Sequence, residues 1–129
     1  ILLTNNGELT LKLTHPRYSH QKTYLVWVRG IPSMTSLDRW RSGLVIDGKI
    51  TLPIKITFLK HSEGRSLLKI VLKEGRNRQI RRTAQLIGNP VLDLQRIQIA
   101  NIKLDSLEEG RWKELEKSSW NKLLKDKSI

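Results

Sequence analysis

The hydrophobic pattern changes period once between residues 66 and 90, and this change constrains the fold more than any other feature of the chain. Leu68, Ile70 and Leu72 alternate with Lys69, Val71 and Lys73. A period of two sends successive side chains to opposite faces of a strand, and here one face is clearly the more polar. Pro53–His61 reads as a second strand, joined to the first by a turn at Glu63-Gly64. After Glu74-Gly75 the alternation ends. Asn77 can cap a helix that runs to about Ile87, and Gly88-Asn89-Pro90 is a stop signal for it.

The rest of the chain fits around this unit. Lys22–Arg29 (Lys-Thr-Tyr-Leu-Val-Trp-Val-Arg) is rich in β-branched and aromatic residues and reads as a strand. Ser33 can cap a helix to about Arg41, with Gly43 ending it. Leu44–Thr51 holds the hairpin signal Asp47-Gly48. Val91–Ile102 reads as a strand region through Leu92, Leu94, Ile97 and Ile99. Gly7–Leu13 can form a short helix with Leu9 and Leu13 on one face, stopped by His15-Pro16. Trp112–Leu124 reads as a last amphipathic helix burying Leu115, Trp120, Leu123 and Leu124. Ile1–Thr4 reads as a strand or the end of one, closed by Asn5-Asn6-Gly7. A chain that opens inside an apolar strand suggests sequence before residue 1. Strands and helices mix without regular alternation, which predicts an α+β domain: a mixed, mainly antiparallel sheet with flanking helices. At 129 residues the chain is one domain, 1–129.

Composition narrows the function. Lys and Arg number 24 against 12 Asp and Glu, a net charge of +12. A domain this basic is drawn to polyanions, nucleic acid first and an anionic membrane surface a distant second. No apolar run approaches the roughly 20 residues that span a bilayer. The absence of cysteine excludes disulfides and thiolate-bound zinc and makes the cytoplasm the expected compartment. His15, His20 and His61 lack metal-binding spacing and read as surface or loop residues.

The charge is concentrated in Glu74-Gly75-Arg76-Asn77-Arg78-Gln79-Ile80-Arg81-Arg82, where four arginines fall within seven positions at the start of a helix. A helix N-terminus offers free N–H groups and a positive dipole end. Arginine adds bidentate binding of phosphate or carboxylate. Arg78 shares a helix face with Arg81 and Arg82, so the cluster repels itself unless an anion lies within it.

This segment resembles the signature of the pseudouridine synthases that modify ribosomal RNA, of the RsuA/RluB type. Other stretches resemble the family in the same order. They are Leu2–Leu9 (Leu-Leu-Thr-Asn-Asn-Gly-Glu-Leu), Leu13-Thr14-His15-Pro16, Lys22-Thr23-Tyr24, Asp47-Gly48, and the strand through Val91, Leu94 and Arg96. The resemblance covers residue 1 to about 115; residues 118–129 lie beyond it and read as a lineage-specific tail. It implies an incomplete pseudouridine synthase fold, a mainly antiparallel sheet with an RNA-binding cleft. It also implies the isomerisation of a uridine in ribosomal RNA without metal or organic cofactor, by a monomer. The target uridine must leave its stack to be reached.

Roles follow position by position from the resemblance. Tyr24 matches the active-site tyrosine that packs on the target base. Arg81 matches the basic partner of the catalytic aspartate; a guanidinium nearby favours the ionised carboxylate that a nucleophile needs. Ile80 matches a residue lining the base pocket. Arg76, Asn77, Arg78, Gln79, Arg82 and Arg96 are the expected substrate-binding residues. The family's Arg-Leu-Asp stretch should precede the Leu-Leu-Thr-Asn run, so the nucleophilic aspartate is expected upstream of Ile1 and the chain alone is expected to be inactive. Asp38, Asp47, Asp93, Asp105 and Asp126 are in the wrong contexts to replace it, and Asn6 stands where the family commonly has aspartate. Arg81 is expected in a cleft and at least partly exposed, with Tyr24 facing the same cleft from a neighbouring strand. The alternative reading is a non-catalytic, basic RNA-binding module associated with ribosomes, which would need neither base pocket nor carboxylate partner.

Overall fold

The computed structural model describes residues 1–125. Helix α1 (Gly7–Thr14) comes first, then strand β1 (Lys22–Arg29), helix α2 (Met34–Ser42) and the two-residue strands β2 (Val45–Ile46) and β3 (Lys49–Ile50). Strands β4 (Lys55–Ser62) and β5 (Arg65–Leu72), helix α3 (Gln79–Leu86), strands β6 (Val91–Ile99) and β7 (Ile102–Lys103), and helix α4 (Lys117–Lys125) complete the order.

Five strands form one sheet in the order β4-β5-β1-β6-β7, with every pairing antiparallel. The strands β2 and β3 form a separate hairpin. Its turn places Asp47 at φ 53° and Gly48 at φ 72°, the paired left-handed conformation that Asp-Gly signals. The β4–β5 turn repeats this with Glu63 at φ 54° and Gly64 at φ 75°. Strand β1 lies in the centre because its neighbours β5 and β6 arrive from either side, joined over it by α3.

The sheet has one wet and one dry face. Val26 and Val28 on β1, with Leu68 and Ile70 on β5, are fully buried. They pack against Leu37 and Trp40 of α2 and against Ile80, Ala84 and Ile87 at and just beyond α3. The buried Ser66 hydroxyl is satisfied by donating to the Gly30 carbonyl at 2.7 Å. Helix α2 is fixed by its predicted caps: Ser33 accepts from the Ser36 N–H, and Gly43 ends the helix at φ 119°. A Cβ at Gly43 would lie 2.5 Å from the Thr51 carbonyl, so this close approach requires glycine. A second apolar cluster joins Leu9 of α1 to Ile99, Ile102 and Leu123, with Leu13, Leu115, Trp120 and Leu124 packed around it.

Four expectations need correction. Ile1–Thr4 is not a strand, and Ile1 and Leu3 lie exposed. Asn77 does not cap α3; the cap position is Arg78, in the left-handed region at φ 52°, ψ 32° and without a side-chain bond. The strand region from Val91 breaks at Ala100, whose φ of 51° turns the chain into the β6–β7 hairpin. Bulges along the β1–β6 pairing also interrupt the alternation, so Leu92 is exposed while Val91 and Leu94 pack on the core. The last helix starts at Lys117 and not at Trp112, which is exposed. Of the tail, residues 126–129, including Asp126, lie outside the described residues.

Candidate active site

The arginine segment is held by the polar groups within it. At the end of β5 the Glu74 carboxylate accepts from the Leu52 N–H at 3.0 Å and from the Gln79 amide at 3.1 Å. The Gln79 carbonyl oxygen in turn accepts from the Arg76 N–H at 3.3 Å. Gln79 is buried, so these bonds satisfy an amide that would otherwise be costly to desolvate. They also close the loop over Asn77 and Arg78, which are exposed.

The four arginines have different surroundings. Arg76 donates to the Lys49 carbonyl at 3.1 Å and to the Ile46 carbonyl, and lies 3.8 Å from Glu74. Arg82 makes a two-pronged pair with Asp47, at 2.9 and 2.6 Å. The guanidinium holds the Asp47 carboxyl below its ordinary range through that hydrogen bond first and its charge second. Arg76 and Arg82 therefore both hold the β2–β3 hairpin against α3. The guanidinium groups of Arg78 and Arg81 have no hydrogen bond or ion pair among the described residues. Arg78 is exposed and Arg81 half-buried. The anions within the cluster are thus Glu74 and Asp47, and two cations remain uncompensated.

Tyr24 lies on the central strand, directly opposite Ile70 on β5 and Arg96 on β6. It is half-buried against the cluster that holds Ile80 and Ala84, so it sits on the sheet face that α3 covers. Helical geometry puts Arg81 beside Ala84 and about a quarter-turn from Ile80, at the margin of that buried stripe. Ile80 itself is buried core. Arg96 is exposed.

Sequence reasoning missed three contributors. Asp47 and Glu74 were read as a turn residue and as part of a motif, and they compensate two of the four arginines. Lys22 was read only as part of a strand. It is two residues before Tyr24 and so on the same face. A Cβ on Gly75 would lie 3.2 Å from its ammonium nitrogen, so the lysine reaches the loop that leads into α3. Burial first, and the Arg96 guanidinium second, hold the Lys22 ammonium below the ordinary lysine range. The period-two relation between Lys22 and Tyr24 was the signal available. Lys22, Tyr24 and Arg96 thus share one end of the helix-covered face. This arrangement can receive an anionic, ring-bearing ligand: cations for its charge and a phenol ring for stacking.

No cluster of three or more His, Cys, Asp or Glu among the described residues could hold a metal, and no described helix is long and apolar enough to cross a membrane. His20 is half-buried, with its Nε2 buried and unbonded among the described residues.

Comparison with known proteins bears directly on this geometry. Residues 1–86 match the family model described as RNA pseudouridylate synthase. The ribosomal large subunit pseudouridine synthase B of Bacillus subtilis is 38% identical over 117 residues, covering 89% of this chain and 48% of that protein. An uncharacterised RNA pseudouridine synthase of Aquifex aeolicus is 34% identical over 125 residues, covering 97% of this chain and 50% of its own length. A crystal structure of a pseudouridylate synthase superposes with a TM-score of 0.80 at 31% identity, covering 93% of this chain and 52% of that one. The chain spans about half the length of these relatives. With the family model matching two-thirds of the chain and the fold and motif order agreeing, this chain belongs to the RNA pseudouridylate synthase family.

Proposed function

We propose that the chain is the larger part of the catalytic domain of a ribosomal RNA pseudouridine synthase. The observation that carries this reading is the grouping of Tyr24 and Arg96 on the face covered by α3, with Arg81 half-buried and unpaired among the described residues at its margin. In the reaction the uridine N1–C1′ bond breaks, the base turns, and a C5–C1′ bond forms; C5 gives up a proton and N1 gains one. Tyr24 stacks on the base, Ile80 closes the pocket from behind, and Arg81 keeps a nucleophilic carboxylate ionised. Arg78 and Arg96 hold the RNA. The reaction takes place in the cytoplasm and needs no metal or organic cofactor.

None of the described aspartates is the nucleophile in this reading. Each described aspartate is committed elsewhere: Asp38 to Arg41, Asp47 to Arg82, Asp93 to the opposite sheet face beside Trp27, and Asp105 to a turn after β7. The test uses unmodified ribosomal RNA and chemical mapping of pseudouridine. The 129-residue chain is expected to form none, and a version extended ahead of Ile1 by the family's Arg-Leu-Asp stretch is expected to form it. In that version Arg81→Met lowers kcat by roughly 100-fold, as loss of a preorganised charge partner does. Pseudouridine formed by the chain alone would overturn the external nucleophile. An extended version that binds the RNA without isomerising it would replace the enzyme by a binding module.

A further inference from the structure

We propose that the sheet face opposite α2 and α3 is a second RNA-binding surface, on which Trp27 stacks with a base of a single-stranded segment. The inference rests on the reading of the chain as an RNA enzyme and adds a site on the other side of the molecule.

Leu25, Trp27, Leu67 and Val71 lie on this face. They are half-buried by their neighbours and belong to neither apolar cluster. Neither α2 nor α3 reaches this face, because both pack on the Val26 side. The strand registers bring Lys55, Lys60, Arg65, Lys69 and Arg29 to the same face. All five are exposed, and the one carboxylate at a register position there is Asp93, opposite Trp27. None of the five cations forms an ion pair among the described residues. Arg29 and Arg65 stand directly opposite each other. Like charges in that relation are unfavourable, and a polyanion laid across them removes the repulsion.

Trp27 is at the centre of this field. The Arg65 guanidinium lies 4.4 Å and the Lys60 ammonium 5.6 Å from its ring centroid. An indole with two cations over its ring, on a sheet face that neither α2 nor α3 covers, offers a stacking surface for a base and charge for the flanking phosphates. A protein partner would need a larger apolar patch than these four half-buried side chains, and charge of the opposite sign. The charge complementarity therefore selects single-stranded nucleic acid as the occupant.

The test measures binding of a fluorescein-labelled single-stranded RNA oligonucleotide to the chain by anisotropy across a salt series. Circular dichroism establishes that each variant is folded. Trp27→Ala should weaken binding about tenfold, while Trp27→Phe, which keeps a stacking ring, should stay within about threefold. Arg65→Gln with Lys69→Gln should reduce the log–log salt slope by roughly 1.4, at about 0.7 per phosphate contact. Ultraviolet cross-linking should recover RNA on the peptide that contains Trp27. Unchanged affinity and slope in folded variants of this face would overturn the inference, and so would equal losses for Trp27→Ala and Trp27→Phe. The synthase reading is judged separately by pseudouridine formation in the extended version.

Discussion

Replacing Arg76 distinguishes a structural arginine from an RNA-binding one. Its guanidinium donates to the Ile46 and Lys49 carbonyls of the β2–β3 hairpin and lies 3.8 Å from Glu74, with its side chain only 21% exposed. A charged donor on a half-buried carbonyl contributes about 1.5–3 kcal/mol, and the bond to the exposed Lys49 carbonyl adds roughly 0.5. Arg76→Ala removes both bonds, so the expected loss is about 2–3 kcal/mol. Arg76→Lys keeps the charge but not the fork and should lose about half as much. Urea unfolding followed by circular dichroism measures this: with a slope near 1–3 kcal/mol per molar, the midpoint should fall by about 1 M for the alanine variant. The RNA salt slope should hardly change. The opposite pattern refutes the reasoning: stability within about 0.5 kcal/mol of the parent, with the slope reduced by about 0.7, would make Arg76 a phosphate ligand and not a hairpin tie.

Two further outcomes follow from the neighbouring side chains. Arg78 is exposed and held at φ 52°, so Arg78→Gly should raise stability by about 1 kcal/mol in thermal unfolding while lowering RNA affinity and its salt slope. Burial and Arg96 lower the Lys22 pKa, so the folded state disfavours its charged form. That penalty is complete below the folded pKa and is relieved as pH rises through it toward the ordinary lysine value of 10.5. Stability should therefore rise across this alkaline window relative to a Lys22→Met variant, which lacks the titration. Parallel pH–stability curves for the two proteins would rule the effect out.

The sequence revealed what depends on local chemistry. The caps at Ser33 and Gly43, the Asp-Gly and Glu-Gly turns, and the alternation through Leu68 and Leu72 are short-range signals, and each element formed where its signal lay. The central position of Lys22–Arg29 was not legible, because strand order is set by pairings across the chain. The cap at Arg78 was missed for a related reason. Asn77 is the better cap by residue type, but the bonds among Glu74, Arg76 and Gln79 fix the loop one residue further on. Ile1–Thr4 has strand-like composition without a strand to pair with. Within the candidate site, Tyr24, Arg81 and the arginine cluster were visible as motif residues. The division of that cluster into two tied and two untied arginines was not, since Asp47 lies far away in sequence and meets Arg82 only through the folded hairpin.

The central place of β1 has a kinetic consequence. Lys22 must find Leu72 on one side and Ile99 on the other, and both are distant in sequence. The β4–β5 hairpin, by contrast, closes through a two-residue turn. Loop closure makes the local hairpin the early event and the insertion of β1 between β5 and β6 the slow one. Tyr24 lies on the inserted strand and Arg81 on the connection that spans it, so the sheet face that α3 covers is complete only after the slow step. Partially folded chains would carry the arginine segment before Tyr24 is paired in the sheet.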